Sequence, residues 1–232
     1  MRYSRVRARS IVKDTYTVDM VFVLLVVAAI FVNVLTLTTL QTEQGFLYNV
    51  SILEMMLGLG GLVLVGLLFG IGKLQFSISN WNETQRWMTW GAIGFIAARF
   101  AAAFLTQSAT STEIIYNNLT IVITSAIFEE ALFVSMALLI YMAMNTSMMA
   151  TMRPIFGDEF ARFLAIITTA LMTAVMFAAI HIGVYGTDMD IMLALTVARF
   201  IYTIVFLYSR NFMSSTFAHL VHNISVWFVL FG

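Results

Sequence analysis

Residues 119–144 read LTIVITSAIFEEALFVSMALLIYMAM, an apolar run that is interrupted near its middle by two adjacent glutamates, Glu129 and Glu130. A helix needs about 20 mostly apolar residues to cross a bilayer, and this run is long enough. Ionisable side chains at membrane depth are costly and usually functional. The run therefore predicts a membrane-spanning helix that carries part of a site.

Six further apolar runs of similar length predict spans at 19–40, 50–72, 87–106, 162–183, 190–208 and 212–231. The whole chain is 61% hydrophobic and 10% charged, whereas soluble domains are about half apolar and a quarter charged. Membrane-crossing strands would be about half as long as these runs. We therefore predict an all-α, polytopic transmembrane helical bundle of about seven spans, and we exclude soluble globular and disordered proteins.

The basic residues lie on one side of this layout. The loops 41–49, 107–118 and 184–189, which alternate with the basic segments, carry no Lys or Arg. The positive-inside rule then places the N-terminus in the cytoplasm and the C-terminus on the opposite side. We expect a multi-pass protein of the plasma (inner) membrane, in contact with membrane lipids. The basic residues outside the spans are Arg2, Arg5, Arg7, Arg9, Lys13, Lys73, Arg86, Arg153, Arg162 and Arg210.

We predict a single membrane domain over residues 1–232. Residues 1–18 form a basic cytoplasmic tail, and 19–112 hold three variable N-terminal spans without a specific motif. Residues 113–232 hold most of the ionisable residues that lie inside predicted spans, so the C-terminal spans are expected to form a polar active-site cavity. The formal net charge is zero, which offers no basic field for nucleic acid. The chain has no cysteine, which excludes thiolate metal sites and cysteine nucleophiles.

Three short motifs place polar groups inside predicted spans. His219 and Asn223 are four residues apart and share one helix face, as do Phe177 and His181. Adjacent glutamates on a helix point about 100° apart, so one carboxylate is expected to react and the other to support it. A buried Glu beside a His can activate water, and further N–H donors can hold an oxyanion. The motifs are Glu129-Glu130, Phe177-x-x-x-His181 and His219-x-x-x-Asn223.

In this order the motifs resemble those of the CPBP intramembrane protease family, which includes CAAX proteases, bacteriocin-processing enzymes and the Ras-converting CAAX endopeptidase. The family motifs read EExxxR, FxxxH and HxxxN/D, and the resemblance covers about residues 120–228. It implies a membrane-embedded endopeptidase that cleaves a membrane-proximal or lipid-linked peptide or lipidated protein.

The resemblance also implies a role for each motif residue. Glu129 and His181 would activate water. His219 and Asn223 would form the oxyanion site, and Glu130 would orient the cluster. If a metal such as Zn²⁺ is bound, Glu129, His181 and His219 are the expected ligands, whereas a water activated by Glu and His alone needs no cofactor.

The chain departs from the family pattern at Val134, where the first motif has arginine. Valine cannot pair with a carboxylate, so a buried Glu130 needs a proton or another cation. The candidates are Arg99 and Arg199, which both lie in spans, and we expect Arg199 to be that cation, since its span lies in the same C-terminal half of the chain. Arg199 and Phe177 are therefore the supporting residues of the predicted site.

Two other functions fit the same residues. Val134 is compatible with a catalytically inactive homologue that binds or scaffolds other membrane proteins, which would then be its partners. Buried glutamate and histidine side chains also form the proton relays of transporters. Two further ionisable residues in spans, Glu54 and Arg99, are expected to reach the interface or to pair with each other.

Overall fold

The computed structural model describes residues 15–40, 45–105 and 119–231, and most of them are helical. Most of the predicted basic tail, and residues 106–112 at the end of the predicted N-terminal section, lie outside the described residues. Two short strands accompany the helices, β1 (Tyr16–Asp19) and β2 (Leu74–Ser77). The helices are α1 (Met20–Leu40), α2 (Gly45–Gly70), α3 (Trp81–Leu105), α4 (Leu119–Thr151), α5 (Arg153–Phe156), α6 (Asp158–Tyr185), α7 (Met189–Ser209) and α8 (Phe212–Phe231).

The predicted all-α polytopic bundle is confirmed, and a long helix accounts for most of each of the seven predicted spans. Within the described residues, five helices are long and apolar enough to cross a membrane, namely α2, α3, α4, α6 and α7. The apolar part of α1, Met20–Thr36, is shorter. α8 is not among the five, and it carries His219, His222 and Asn223, whose polar groups lower its hydropathy.

The small parallel sheet, which was not predicted, joins distant connections at one end of the bundle. β1 pairs with β2 in the register Tyr16 to Leu74, and Thr17 also forms a bridge to Asn211, between α7 and α8. Two long helices lie between β1 and β2 along the chain, and four lie between β2 and Asn211. Even numbers of crossings keep all three segments on the same membrane face, which agrees with seven spans. Residues 16–18, included in the predicted tail, thus lie in a strand.

α4 is the central helix of the bundle. In its most apolar window 78% of residues are buried, against 22% in α3. It packs against α1, α2, α6 and α8. Residues in the middle of α4 therefore face other helices rather than lipid, and this position brings Glu129 and Glu130 into the protein interior.

α2 lies directly on α4 because glycines line its contact face. A Cβ atom on Gly61 would lie 2.5 Å from the backbone carbon of Ala131 and from the nitrogen of Leu132. Gly58, one turn earlier, faces the ring of Phe128. Small residues of this kind let two membrane helices approach backbone to backbone. The register between α2 and α4 is therefore fixed by close packing.

We expect Gly61→Ala to destabilise the protein by about 1–3 kcal/mol, because the added methyl group meets α4 backbone that cannot rotate away. Gly66→Ala, on the same helix, is the matched control, since nothing lies within 4 Å of its added Cβ. There the higher helix propensity of alanine is expected to leave stability unchanged or raise it by up to about 1 kcal/mol. Thermal unfolding in detergent compares the two, and equal shifts would contradict the close-packing explanation.

Candidate active site

Glu129 on α4 is the meeting point of two histidines from other helices. Its Oε1 atom lies 3.2 Å from Nε2 of His181 on α6, and its Oε2 atom lies 3.6 Å from Nε2 of His219 on α8. The Ser125 hydroxyl, one turn earlier on α4, donates to Oε1 at 3.2 Å. All three ionisable side chains are buried. The first motif and both histidine motifs therefore meet at one carboxylate inside the bundle.

His181 has a fixed ring orientation. Its Nδ1–H donates to the carbonyl oxygen of Phe177, one turn earlier on α6, at 2.7 Å. Because that proton is committed to the backbone, the contact between Nε2 and Glu129 Oε1 holds one proton, carried by either the imidazole or the carboxyl. Glu129 and His181 thus form a pair that can accept and return a proton.

Glu130 lies on the other side of His219. The Nδ1–H group of His219 donates to Oε1 of Glu130 at 3.0 Å, and Nη1 of Arg199 on α7 donates to the same oxygen. Glu130 and Arg199 are both fully buried. The predicted pairing of Arg199 with Glu130 is therefore present, while Val134 packs in the hydrophobic core.

Aromatic rings hold Arg199 and His219 in place. The guanidinium carbon of Arg199 lies 5.1 Å from the ring centre of Phe133 and 5.7 Å from that of Phe177. The His219 ring stacks on Tyr202 at 5.1 Å, with an angle of 26° between the planes. Phe177 thus contributes both a ring beside Arg199 and the carbonyl oxygen that orients His181.

The two glutamates share His219 although they point in different directions from α4. Glu129 approaches Nε2 of the imidazole and Glu130 approaches Nδ1, so the ring bridges both carboxylates. From the sequence spacing alone, the two carboxylates were expected not to aim at one spot. It did not indicate that one histidine would contact both of them.

Asn223 is half-buried one turn beyond His219 on α8. Among the residues that the structure describes, no hydrogen bond joins its amide to the cluster. His222 is also half-buried, and its ring meets Tyr202 edge to face at 6.3 Å. The structure therefore brings together four of the five predicted catalytic residues and places the fifth, Asn223, next to them along the helix.

A cavity of about 50 Å³ opens onto Glu129 and His181, and α2 forms one of its walls. The wall includes Glu54, which is only 6% exposed. Within the described chain it forms no ion pair with Arg99, and it does not reach the interface as expected. Sequence reasoning missed this position, because a charged residue near the start of a span is more often interfacial. The lining residues are Leu53, Glu54, Leu57, Ser125, Glu129, Ile180, His181, Val184 and Tyr185.

Glutamate and histidine side chains are also potential metal ligands. Glu129, His181 and His219 contact one another directly, but in residues 15–40, 45–105 and 119–231 no group of three His, Asp or Glu side chains is arranged to hold a metal ion. In this arrangement Glu129, His181 and His219 form a glutamate–histidine cluster that is held by direct contacts.

Comparison with known proteins identifies one family. Residues 110–225 match the family model described as type II CAAX prenyl endopeptidase Rce1-like, which is half of the chain. No curated protein and no solved structure matched the chain. The matched residues include α4, α6, α7 and the part of α8 that carries His219, and thus the whole cluster around Glu129 and Glu130. This integral, multi-pass membrane protein belongs to the Rce1-like type II CAAX prenyl endopeptidase family.

Proposed function

We propose that the protein is an intramembrane endopeptidase that hydrolyses a peptide bond in a membrane-proximal or lipid-linked peptide. The observation that carries the proposal is the contact of Glu129 with two imidazoles at the edge of a cavity inside the bundle. The cavity has room for a few water molecules, since each needs about 10–15 Å³ of this volume. A carboxylate, a histidine and water in one buried place are the requirements of general-base hydrolysis.

In the proposed reaction, Glu129 and His181 remove a proton from water as its oxygen adds to the peptide carbonyl carbon. The same pair then returns the proton to the amide nitrogen as the carbon–nitrogen bond breaks. The products are a free carboxyl group and a free amine. No covalent enzyme intermediate is formed and no step passes through a metal ion.

His219 and Asn223 are proposed to stabilise the oxyanion. The Nδ1–H group of His219 is held by Glu130, so a protonated ring offers its Nε2–H group toward the Glu129 side of the site. Asn223 lies on the same helix face one turn away, where its amide can donate to the same oxygen once substrate is bound. Glu130 and Arg199 are positioning residues, because they act on the reaction through His219.

The distribution of basic residues supports an orientation. Lys73 and Arg210 adjoin the small sheet, where their backbone carbonyls accept from Tyr16 and Thr17. We propose that this end of the bundle faces the cytoplasm, with the N-terminus on that side of a plasma (inner) membrane.

The alternative of an inactive scaffold rested on Val134, which replaces the arginine of the family motif. Arg199 supplies the positive charge that pairs with Glu130 in its place.

The proposal is tested by cleavage of a farnesylated peptide with a CAAX C-terminus by the purified protein in detergent, with and without a chelator. We expect His219→Ala to lower kcat about 10²–10³-fold, the usual cost of removing one oxyanion donor. His222→Ala, three residues along the same helix, is the matched control and is expected to retain activity. Unchanged activity in His219→Ala would contradict its oxyanion role.

The chelator and the wild-type protein test the remaining alternatives. Loss of cleavage on chelation, restored by Zn²⁺, would contradict the metal-free mechanism and support zinc on Glu129, His181 and His219. No cleavage by a folded wild-type protein would favour the scaffold, and proton flux in vesicles would favour a transporter.

A further inference from the structure

Glu54 is a third buried carboxyl beside the cluster, and it comes from the N-terminal half of the chain. It lies on α2, lines the same cavity as Glu129 and His181, and is 6% exposed. Its carboxyl lies close to Ser125, whose hydroxyl donates to Glu129. Its Oε2 atom is buried, and the described residues give it no hydrogen-bond partner. A buried polar atom without a protein partner needs one from the cavity, either water or a bound molecule.

The charges around Glu54 indicate its form. Arg199 is paired with Glu130, and Glu129 contacts both imidazoles. No cation among the described residues pairs with Glu54. An unpaired charge is too costly to bury, so the carboxyl of Glu54 holds its proton. A protonated carboxyl presents one O–H donor and one carbonyl acceptor to the cavity.

A peptide that reaches Glu129 brings polar groups into this cavity. Its backbone N–H and C=O groups need partners, because no water from the bilayer core is available to bind them. Four cavity side chains, Leu53, Leu57, Ile180 and Val184, are apolar and offer none. The Glu54 carboxyl is therefore well suited to accept from a peptide N–H and donate to a peptide C=O.

We propose that Glu54 is a substrate-binding residue that hydrogen-bonds the peptide backbone next to the bond to be cleaved. The proposal rests on the proposed function and adds a residue outside the 110–225 range that matches the family model. Gly58, one turn after Glu54 on the same helix face, lies against the ring of Phe128 on α4. This close packing holds the Glu54 backbone at a fixed place relative to Glu129.

The test measures binding without turnover. A fluorescein-labelled farnesylated CAAX peptide is titrated with Glu129→Gln protein in detergent micelles, alone and combined with Glu54→Gln or Glu54→Leu. Leucine removes both hydrogen-bonding groups, so Kd is expected to rise about tenfold to hundredfold. Glutamine keeps one donor and one acceptor, so Kd is expected to stay within about threefold. Farnesyl-cysteine methyl ester, which lacks the peptide, is the control ligand, and its Kd is expected to be the same in all three proteins.

Each other outcome overturns the assignment in a distinct way. Unchanged affinity in Glu54→Leu would mean that Glu54 does not bind the peptide. Equal weakening by Glu54→Gln would mean that binding depends on the carboxylic acid itself rather than on one donor and one acceptor. A protein that binds the peptide through Glu54 but cleaves nothing would contradict the proposed hydrolysis and leave the binding role in place. A wild-type protein that does not bind the peptide would overturn both.

Discussion

Glu129→Gln is expected to lower kcat for peptide hydrolysis by about 10²–10⁴-fold, the usual contribution of a general base. Glutamine has nearly the same shape, but its amide cannot take a proton from water. Its side chain can still contact Ser125 and both imidazoles, so the packing around α4 is retained. The measurement is steady-state cleavage of the farnesylated peptide, with KM and kcat determined separately.

Thermal unfolding and peptide affinity serve as controls for Glu129→Gln. We expect a Kd for the peptide near that of the wild-type protein, because Glu129 acts on water rather than on the peptide backbone. Wild-type kcat in this variant would show that Glu129 is not the base and would return the role to Glu130 or His181. A large loss of both stability and binding would instead make Glu129 a structural residue.

Arg199→Met is expected to have the largest effect on stability. The substitution leaves Glu130 buried without the positive charge that pairs with it. Removing one partner of a buried ion pair lowers the free energy of unfolding by about 3–5 kcal/mol. Met fills a similar volume, so a cavity contributes little to the change. Reversible unfolding in mixed micelles measures the free energy, and cleavage of the same peptide reports the effect on His219.

The double variant Arg199→Met with Glu130→Gln separates charge from packing. Neutral glutamine needs no cation and can still accept from Nδ1 of His219, so the double variant is expected to recover most of the lost stability. If Arg199→Met alone folds and cleaves like the wild-type protein, Arg199 does not substitute for the arginine that Val134 replaces. If the double variant is no more stable than Arg199→Met, the loss comes from packing against Phe133 and Phe177.

The helices and the central cluster could be predicted because each follows from the residues of a short stretch of sequence. An apolar run such as 119–144 must cross the membrane or be buried in the protein. A glutamate within that run needs an ion-pair or hydrogen-bond partner. The pairing of Arg199 with Glu130 followed from the same requirement: a buried charge needs a countercharge. The motif order then placed His181 and His219 on two separate helices of the C-terminal half, α6 and α8.

The remaining features depend on how distant segments pack. The strands β1 and β2 have four residues each, and their pairing comes from the bundle rather than from alternation within such short segments. The place of Glu54 depends on which face of α2 meets α4. Gly58 and Gly61 lie on that face, but only the packed structure shows that they contact Phe128, Ala131 and Leu132 on α4.

The small sheet also constrains how the protein is made. β1 is synthesised before α1 to α8, yet its partners are Leu74–Ser77 and then Asn211, which lies between α7 and α8. Its last contact can therefore form only after the ribosome has made α7 and the start of α8. Until then the cluster also lacks His219, which α8 supplies. Completion of this pairing and assembly of the site therefore both wait for the synthesis of Asn211 and α8, and a chain that is cut short before Asn211 has neither.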